Sequence, residues 1–159
     1  MAKIERKYLA HFIDTATTRG MAAYERLGKD LEEYSPEMSA QVETKKNILG
    51  ENSVVISGYE KIARVETYYA ESGSGLFTRL QEIIDDALVL EDLKTRVVEV
   101  KLWDAVEDGV YPAICEEAYI EVNSYGGDTT GYQIPFTLHF TGAKEKGTFD
   151  LNTKTFTGA

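Results

Sequence analysis

The sequence has few of the features that identify common functional classes. Its 159 residues include one cysteine, Cys115, which excludes an internal disulfide and favours a reducing compartment. No run approaches the roughly 18 apolar residues of a membrane-spanning helix, and the charged N-terminus lacks the apolar segment of a secretory signal. The 27 acidic residues outnumber the 17 basic ones, and a net charge of −10 repels nucleic acid. We therefore expect a single domain over residues 1–159 that makes no membrane contact.

Patterns for catalysis, metal binding and cofactor binding are also missing. His11 and His139 lie far apart in the sequence and form no metal motif with Cys115. The acidic neighbours Glu116 and Glu117 disfavour a thiolate at Cys115, so that residue is a poor nucleophile. Adjacent carboxylates point apart on a helix or a strand, whereas acid–base catalysis needs facing groups. We expect no enzyme activity, no metal site and no cofactor.

A glycine-containing turn precedes the predicted helix. Gly73-Ser74-Gly75 is similar to a phosphate-binding turn, because helix N-termini attract anions. Thr78 stands where a third glycine is needed, and no P-loop lysine follows. A flexible entry into the helix is the better interpretation.

One amphipathic helix is predicted over residues 74–88. Ser72 or Ser74 can cap its start, and Asp85 and Asp86 lie near the negative end of its dipole, which indicates that it ends there. A helix with one apolar face must pack on another layer, and the other patterned segments read as strands, so a mainly β fold with one helix on a sheet is predicted. The apolar side chains recur with a period of 3.6 residues, at Leu76, Phe77, Leu80, Ile83, Ile84, Ala87 and Leu88.

Alternating segments on both sides of the helix predict the strands. Residues 53–57 and 61–67 read as a hairpin with its turn at 58–60. Three later strands, within 95–103, 114–122 and 132–141, alternate between apolar and polar residues. We expect their apolar faces to meet the helix. The polar face is expected to hold Glu99, Lys101, Glu117, Tyr119, Glu121, Gln133, Thr137 and His139.

Two segments have no strong core pattern. Residues 1–19 are expected to form an arm that becomes ordered only against a neighbour. Residues 28–51 are polar and charged, and Pro36 excludes a central strand there. Weak alternation from Met38 to Thr44 permits a long, exposed, two-stranded excursion. A region of this length without its own core is uncommon in a compact domain and usually has a function, such as contacting a partner.

Two stretches and the order of elements around them carry a family resemblance. The stretches are YERLGKDLEE at 24–33 and VETKKNILG at 42–50, which leads into residues 54–65 and Tyr68-Tyr69. A helix, further strands and a glycine- and threonine-rich end near 155–158 follow. In this order they resemble the tail tube, or major tail, proteins of long-tailed bacteriophages, over most of the chain.

The resemblance implies a β-sandwich or barrel-like subunit with one flanking helix. Six such subunits form a ring, and stacked rings form the hollow tube of the virion tail, through which DNA passes during ejection without specific binding. The implied partners are further copies of the chain and the terminator, tape measure and distal tail proteins, and synthesis occurs in the host bacterial cytoplasm. Long loops bridge neighbours in this family. The expected inter-subunit contacts are therefore Glu43, Lys45, Lys46, Asn47, Ile48 and Leu49, and the expected lumen-facing residues are Glu99, Glu117 and Glu121.

Other functional classes remain open from the sequence. The inner tubes of contractile injection systems and of type VI secretion share the implied fold. A small β-barrel ligand-binding module would need an apolar cavity, and an enzyme would need a site of unfamiliar pattern. Rings or tubes at high protein concentration favour a tube protein, whereas a strict monomer favours the other two classes.

Overall fold

The computed structural model describes residues 2–16, 22–28, 31 and 33–158. The chain is mainly β with one α-helix, α1 (Gly75–Asp86), and two short 3-10 segments, Arg6–Tyr8 and Leu90–Leu93. Its strands are β1 (Leu9–Asp14), β2 (Tyr24–Leu27), β3 (Ala40–Lys46), β4 (Asn52–Tyr59), β5 (Ile62–Val65), β6 (Lys94–Lys101), β7 (Val110–Val122), β8 (Gly126–Asp128), β9 (Gly131–Gln133), β10 (Phe136–Asp150) and β11 (Thr155–Gly158).

Seven of these strands form one antiparallel sheet that curls into a half-barrel. The order is β11-β10-β7-β6-β1-β2, and β5 also pairs with β10. The long strand β10 pairs with β7 on both sides of a register shift between Phe140 and Lys144. Pro135 lies between β9 and β10, outside both strands, as expected for a residue that cannot donate to the ladder.

The helix covers one face of the sheet and confirms the sequence prediction in its position. Ser74 Oγ accepts a hydrogen bond from the Phe77 amide, and the helix ends at Ala87, whose backbone is left-handed with φ 49°. Leu80 is fully buried between the helix and the sheet. This helix-side core also includes Ile13, Ala63, Val65, Leu76, Ile83, Val97, Ala118, Ile120, Ile134, Phe136 and Leu138.

Arg79 is an exception to the predicted polar face of the helix, because its side chain is buried. Its guanidinium donates to the carbonyl oxygens of Asp14 at 3.1 Å and Ala16 at 3.2 Å, and also to that of Lys94. A guanidinium has five N–H donors and can hydrogen-bond several backbone carbonyls at once, here at the ends of strands. Periodicity alone cannot predict this, because the acceptors come from distant parts of the chain.

A second core lies on the opposite face of the sheet. Phe12 and Phe149 stack there with ring centroids 4.5 Å apart, and Val98, Val100 and Cys115 pack with them. The expected single wet face is therefore wrong at this end of the sheet. When both faces of a strand are buried, the pattern of apolar residues in its sequence does not indicate which face meets the helix.

The expected arm over residues 1–19 is wrong for the segment that forms β1. Leu9–Asp14 lies between β2 and β6 in the sheet, and Ala10, Phe12 and Ile13 are buried. Its six residues face two cores, so they show no one-sided apolar pattern. Residues 17–19 lie outside the described residues.

The predicted hairpin of 53–57 with 61–67 is also wrong. Strand β4 pairs with β3, with the turn near Asn47, whereas β5 pairs with β10. Only β3 lies within 28–51, and its partner β4 begins at Asn52, so the expected two-stranded excursion is wrong in its bounds. The same region is not entirely outside the core, because Tyr34 is buried.

Candidate assembly surfaces

The β3–β4 hairpin extends from the sheet and is exposed along almost its whole length. All its ladder pairs are between its own two strands, from Ala40 opposite Tyr59 to Lys46 opposite Asn52. Near its base, the Glu60 amide donates to the Ser39 carbonyl at 3.1 Å. At 3.3–3.4 Å per residue, seven residues of β3 project roughly 20 Å. The hairpin therefore exposes most of its residues to solvent.

The turn at the end of this hairpin is fixed by one side chain. Asn47 Oδ1 accepts from the amides of Leu49 at 2.9 Å and Glu51 at 3.0 Å, and the Gly50 amide donates to the Asn47 carbonyl. Gly50 has φ 82°, a conformation that glycine adopts without steric cost. Ile48 is 102% exposed and Leu49 78% exposed at this tip. The turn thus presents two aliphatic side chains to solvent in a defined geometry.

One face of the hairpin is apolar although nothing in the described chain covers it. Val42 lies opposite Ile56, and Thr44 lies opposite Val54, so these four share a face. Val42, Val54 and Ile56 are all more than half exposed. Exposed patches of this kind mark interaction surfaces more often than isolated apolar residues do. The sequence patterns did not predict the half contributed by β4, although the turn sequence NILG between two alternating runs could have indicated it.

The structure brings all six expected inter-subunit residues onto this hairpin. Glu43, Lys45 and Lys46 are on β3, and Asn47, Ile48 and Leu49 form the turn. Lys45 Nζ lies 3.5 Å from Glu43 Oε1 in an exposed ion pair. Whether these residues contact another subunit stays a prediction.

The expected lumen-facing residues do not share one face. Glu117 pairs with Arg96 across β6 and β7, whereas Glu99 pairs with Ile114. Directly opposed residues share a face of the sheet, and successive residues along a strand alternate between its two faces. Glu117 and Glu121 therefore lie on the face away from the helix, and Glu99 lies on the face that the helix covers. The placement of Glu99 with Glu117 and Glu121 is therefore wrong. The error follows from assigning Val98 and Val100 to the helix-side core.

The sheet face that holds Glu117 and Glu121 carries both signs of charge. Glu117 Oε2 lies 3.3 Å from Lys94 Nζ, and Glu121 Oε1 lies 2.6 Å from His139 Nε2. Arg96 lies beside Glu117 in the ladder. The polar face is thus a network of paired side chains, more neutral than its carboxylates alone predict.

Glu99, which lies opposite His11 in the β1–β6 ladder, instead belongs to a partly buried ionic cluster. Lys61 Nζ lies 2.6 Å from Glu116 Oε1 and 3.9 Å from Glu99 Oε2, and it lies 4.9 Å from the centroid of the Phe140 ring. The Lys61 ammonium thus pairs with Glu116, which interrupts the apolar side of β7. Burying a carboxylate in a core requires such a partner.

His11 and Tyr34 add a buried polar pair that the sequence did not predict. Their ring centroids are 4.5 Å apart in an edge-to-face arrangement. Neither His11 Nε2 nor the Tyr34 hydroxyl has a hydrogen-bond partner among the described residues. Burial, with a smaller contribution from nearby Arg6, lowers the pKa of His11 from 6.5 to about 3. Burial is also the main cause that raises the pKa of Tyr34 above its ordinary value. The pair is neutral at pH 7.

The helix N-terminus is already occupied by a carboxylate of the same chain. Glu25 Oε2 accepts from the Leu76 amide at 2.9 Å, and Glu25 Oε1 accepts from Ser74 Oγ at 2.8 Å. A negative side chain at this end stabilises the helix dipole. The Gly73-Ser74-Gly75 turn therefore serves as a cap.

Residues with possible chemistry are otherwise dispersed. Cys115 is buried in the second core, where burial raises the pKa of its thiol. Within residues 2–16, 22–28, 31 and 33–158, no group of three or more His, Cys, Asp or Glu side chains could hold a metal ion. No helix among these residues is long and apolar enough to cross a membrane.

Comparisons with known proteins yield a structural likeness. No protein-family model matches the chain, and no curated protein matches it at a significant level. Among solved structures, it is similar to the SPP1 tail tube, described as a hybrid structure by solid-state NMR and cryo EM. The TM-score is 0.65 at 14% identity, over 91% of this chain and 78% of that one. The chain has the tail-tube fold. The mainly β fold with one flanking helix, which the resemblance implied, is thereby confirmed.

The tail-tube fold of this chain also contains an apolar groove at the C-terminal end of α1. Its volume is about 390 Å³, within the range of roughly 300 to 1,000 Å³ found for clefts that seat ligands. Val89, Leu90 and Tyr125 are exposed next to it or in its wall. The sequence contains no signal for this groove, because it forms where the helix end meets β7. The lining residues are Ile83, Ile84, Leu88, Leu93, Ile120, Glu121, Val122, Asn123, Ser124 and Tyr125.

Proposed function

We propose that this chain is a structural subunit of a phage tail tube. It assembles with copies of itself into hexameric rings that stack into a hollow tube, and DNA passes through the bore during genome ejection. In this role it is a component of the virion tail, made in the host bacterial cytoplasm, and it performs no catalysis. Its other partners are the terminator, tape measure and distal tail proteins.

The observation that carries the proposal is the exposed apolar face of the β3–β4 hairpin, together with the tail-tube fold. An isolated two-stranded hairpin is at best marginally stable in water. Val42, Val54 and Ile56 lose contact with water only if another surface covers them. A second copy of the chain is the partner that the likeness to a tube favours.

The bore is proposed to be lined by the sheet face opposite to the helix. Glu117 and Glu121 lie on that face, and Glu121 is exposed. A wall whose cations are paired with carboxylates offers DNA few of the cation–phosphate contacts that release counterions and give affinity. DNA would therefore move along the wall without being held.

The assembly proposal is tested by electron microscopy of the purified chain at increasing concentration. Rings and tubes with six subunits per ring are the expected result. Purified chains that remain monomeric at the highest concentration would contradict it and would favour a ligand-binding module. Contractile injection systems and type VI secretion systems also have inner tubes. Identifying the proteins that bind the end of the tube would distinguish these systems from a phage tail.

The bore proposal is tested by replacing Glu117 and Glu121 with lysine. Tubes should still form, and DNA release should slow because lysines now bind phosphates. The slowing should weaken as salt rises. The matched control replaces Glu107 and Asp108, exposed in the turn before β7, with lysine and should not slow release. Equal release by both variants at low salt would contradict the bore assignment.

A further inference from the structure

The tip of the hairpin and the groove beside α1 are two unoccupied apolar surfaces on one chain. We propose that the groove receives Ile48 and Leu49 of a second copy, so that each subunit contributes a tip to one neighbour and a groove to another. The inference rests on the proposed assembly and names the residues of one of its interfaces.

The two surfaces match in size and in chemical character. The tip offers two aliphatic side chains held by the Asn47 turn, and the groove is lined mainly by the aliphatic residues Ile83, Ile84, Leu88, Leu93 and Val122. A volume of about 390 Å³ leaves room for two such side chains. Because the turn is already ordered, docking needs little further loss of conformational freedom.

The charges around the two surfaces have opposite signs. Over residues 45–51, Lys45 and Lys46 outnumber the one carboxylate, Glu51, although Lys45 also pairs with Glu43. The segments that form the groove contain Asp85, Asp86, Glu91 and Asp92. Glu121 also lines the groove, but its carboxylate pairs with His139 on the face opposite to the helix and is not part of this charged group. Lys94 offsets part of this charge through Glu91 and Glu117. Complementary charges of this kind set the orientation of a docking segment.

The end of the helix has its own reason to accept a cation. Asp85 and Asp86 lie in its last turn, which contains no basic residue. Carboxylates at that end are unfavourable, because the helix dipole is negative there. Lysines brought by another chain would remove this repulsion.

The occupant must come from another molecule. The hairpin projects roughly 20 Å from the sheet, and its tip is fully exposed within its own chain.

Leu90, beside the groove, is also exposed and has a left-handed backbone with φ 54°. A branched residue rarely adopts that conformation without a compensating contact.

Disulfide trapping tests this docking directly. One chain carries Ile48→Cys and a second carries Ser124→Cys, both with Cys115→Ala, and the two are mixed before assembly and oxidised. A two-chain product is expected in assembled tubes. In the control, the second chain carries Thr153→Cys in place of Ser124→Cys. Thr153 lies in the turn at the other end of the sheet, so this pair should give no product. Tubes in which the 48–124 pair links no faster than the 48–153 pair would overturn the docking.

A charge exchange gives a second readout without cysteines. Lys45→Glu with Lys46→Glu should abolish tube formation at low salt, and adding Asp85→Lys with Asp86→Lys should restore it. Tubes from the first variant at the parental yield, or no recovery in the second, would contradict the inference. If the parental chain forms no tubes at all, the proposed function fails as well, so the two failures are distinguishable.

Discussion

The β3–β4 hairpin and the seven-stranded sheet use similar residues with opposite results. Val42, Val54 and Ile56 are exposed on the hairpin, whereas Val97, Val98 and Val100 are buried in β6. The sheet gains its stability within the chain, from two cores on its two faces. No described residue covers the apolar face of the hairpin, so we expect another molecule to supply comparable burial. The comparison therefore separates residues that fold the subunit from residues that we expect to assemble it.

The largest expected contrast uses two leucines. Leu80→Asp places a carboxylate in the helix-side core, and the cost of several kcal/mol is a large part of the roughly 5 to 15 kcal/mol that holds a domain folded. The variant should be unfolded by circular dichroism. Leu49→Asp, the matched control on the hairpin tip, should melt like the parent. Equal melting of both variants would remove the distinction between the two regions.

Acid should lower the free energy of unfolding through His11, which is buried in the sheet. The hairpin contains no histidine. The pKa of His11 falls from 6.5 when unfolded to about 3 when folded, so the unfolded chain binds the proton more readily. Its contribution is complete above about pH 6.5 and is lost as the pH falls toward 3. The loss reaches several kcal/mol, since one pKa unit equals about 1.4 kcal/mol.

Denaturant unfolding at several pH values measures this effect. His11→Phe should flatten the decline of the free energy of unfolding below about pH 6.5. A parental slope in His11→Phe would show that His11 is not the group responsible.

The smallest expected effect on folding is deletion of residues 45–50. These residues are exposed, and the ladder partners of Lys45 and Lys46 are Ser53 and Asn52 of the same hairpin. The free energy of unfolding should therefore change by no more than about 1 kcal/mol. The same chain should form no tubes in the electron microscope. Loss of folding in this variant would mean that the hairpin belongs to the folding unit.

Sequence reasoning predicted the parts of the fold whose burial is one-sided. The α1 stripe is of this kind, and so are Ala118 and Ile120 on β7, because one wet face and one dry face produce a readable period. It failed at β1 and β6, which are buried on both faces, and it therefore placed Glu99 with Glu117 and Glu121. The alternation of residues within β4 also does not indicate which strand pairs with it.

The candidate surfaces divide in the same way. The hairpin residues could be predicted, since polarity and length are properties of the sequence. The groove, the Glu25 cap and the His11–Tyr34 pair could not, because each joins residues that are distant in the chain. The contacts of Glu117 with Lys94 and of Glu121 with His139 likewise become visible only in the folded sheet.

Hydrogen exchange before and after assembly tests the central claim most directly. The account predicts that amides of residues 40–59 exchange quickly in the isolated subunit and become protected in tubes, while the amides of β6 and β7 are protected in both. Hairpin amides that exchange equally fast in subunits and in tubes would contradict the account.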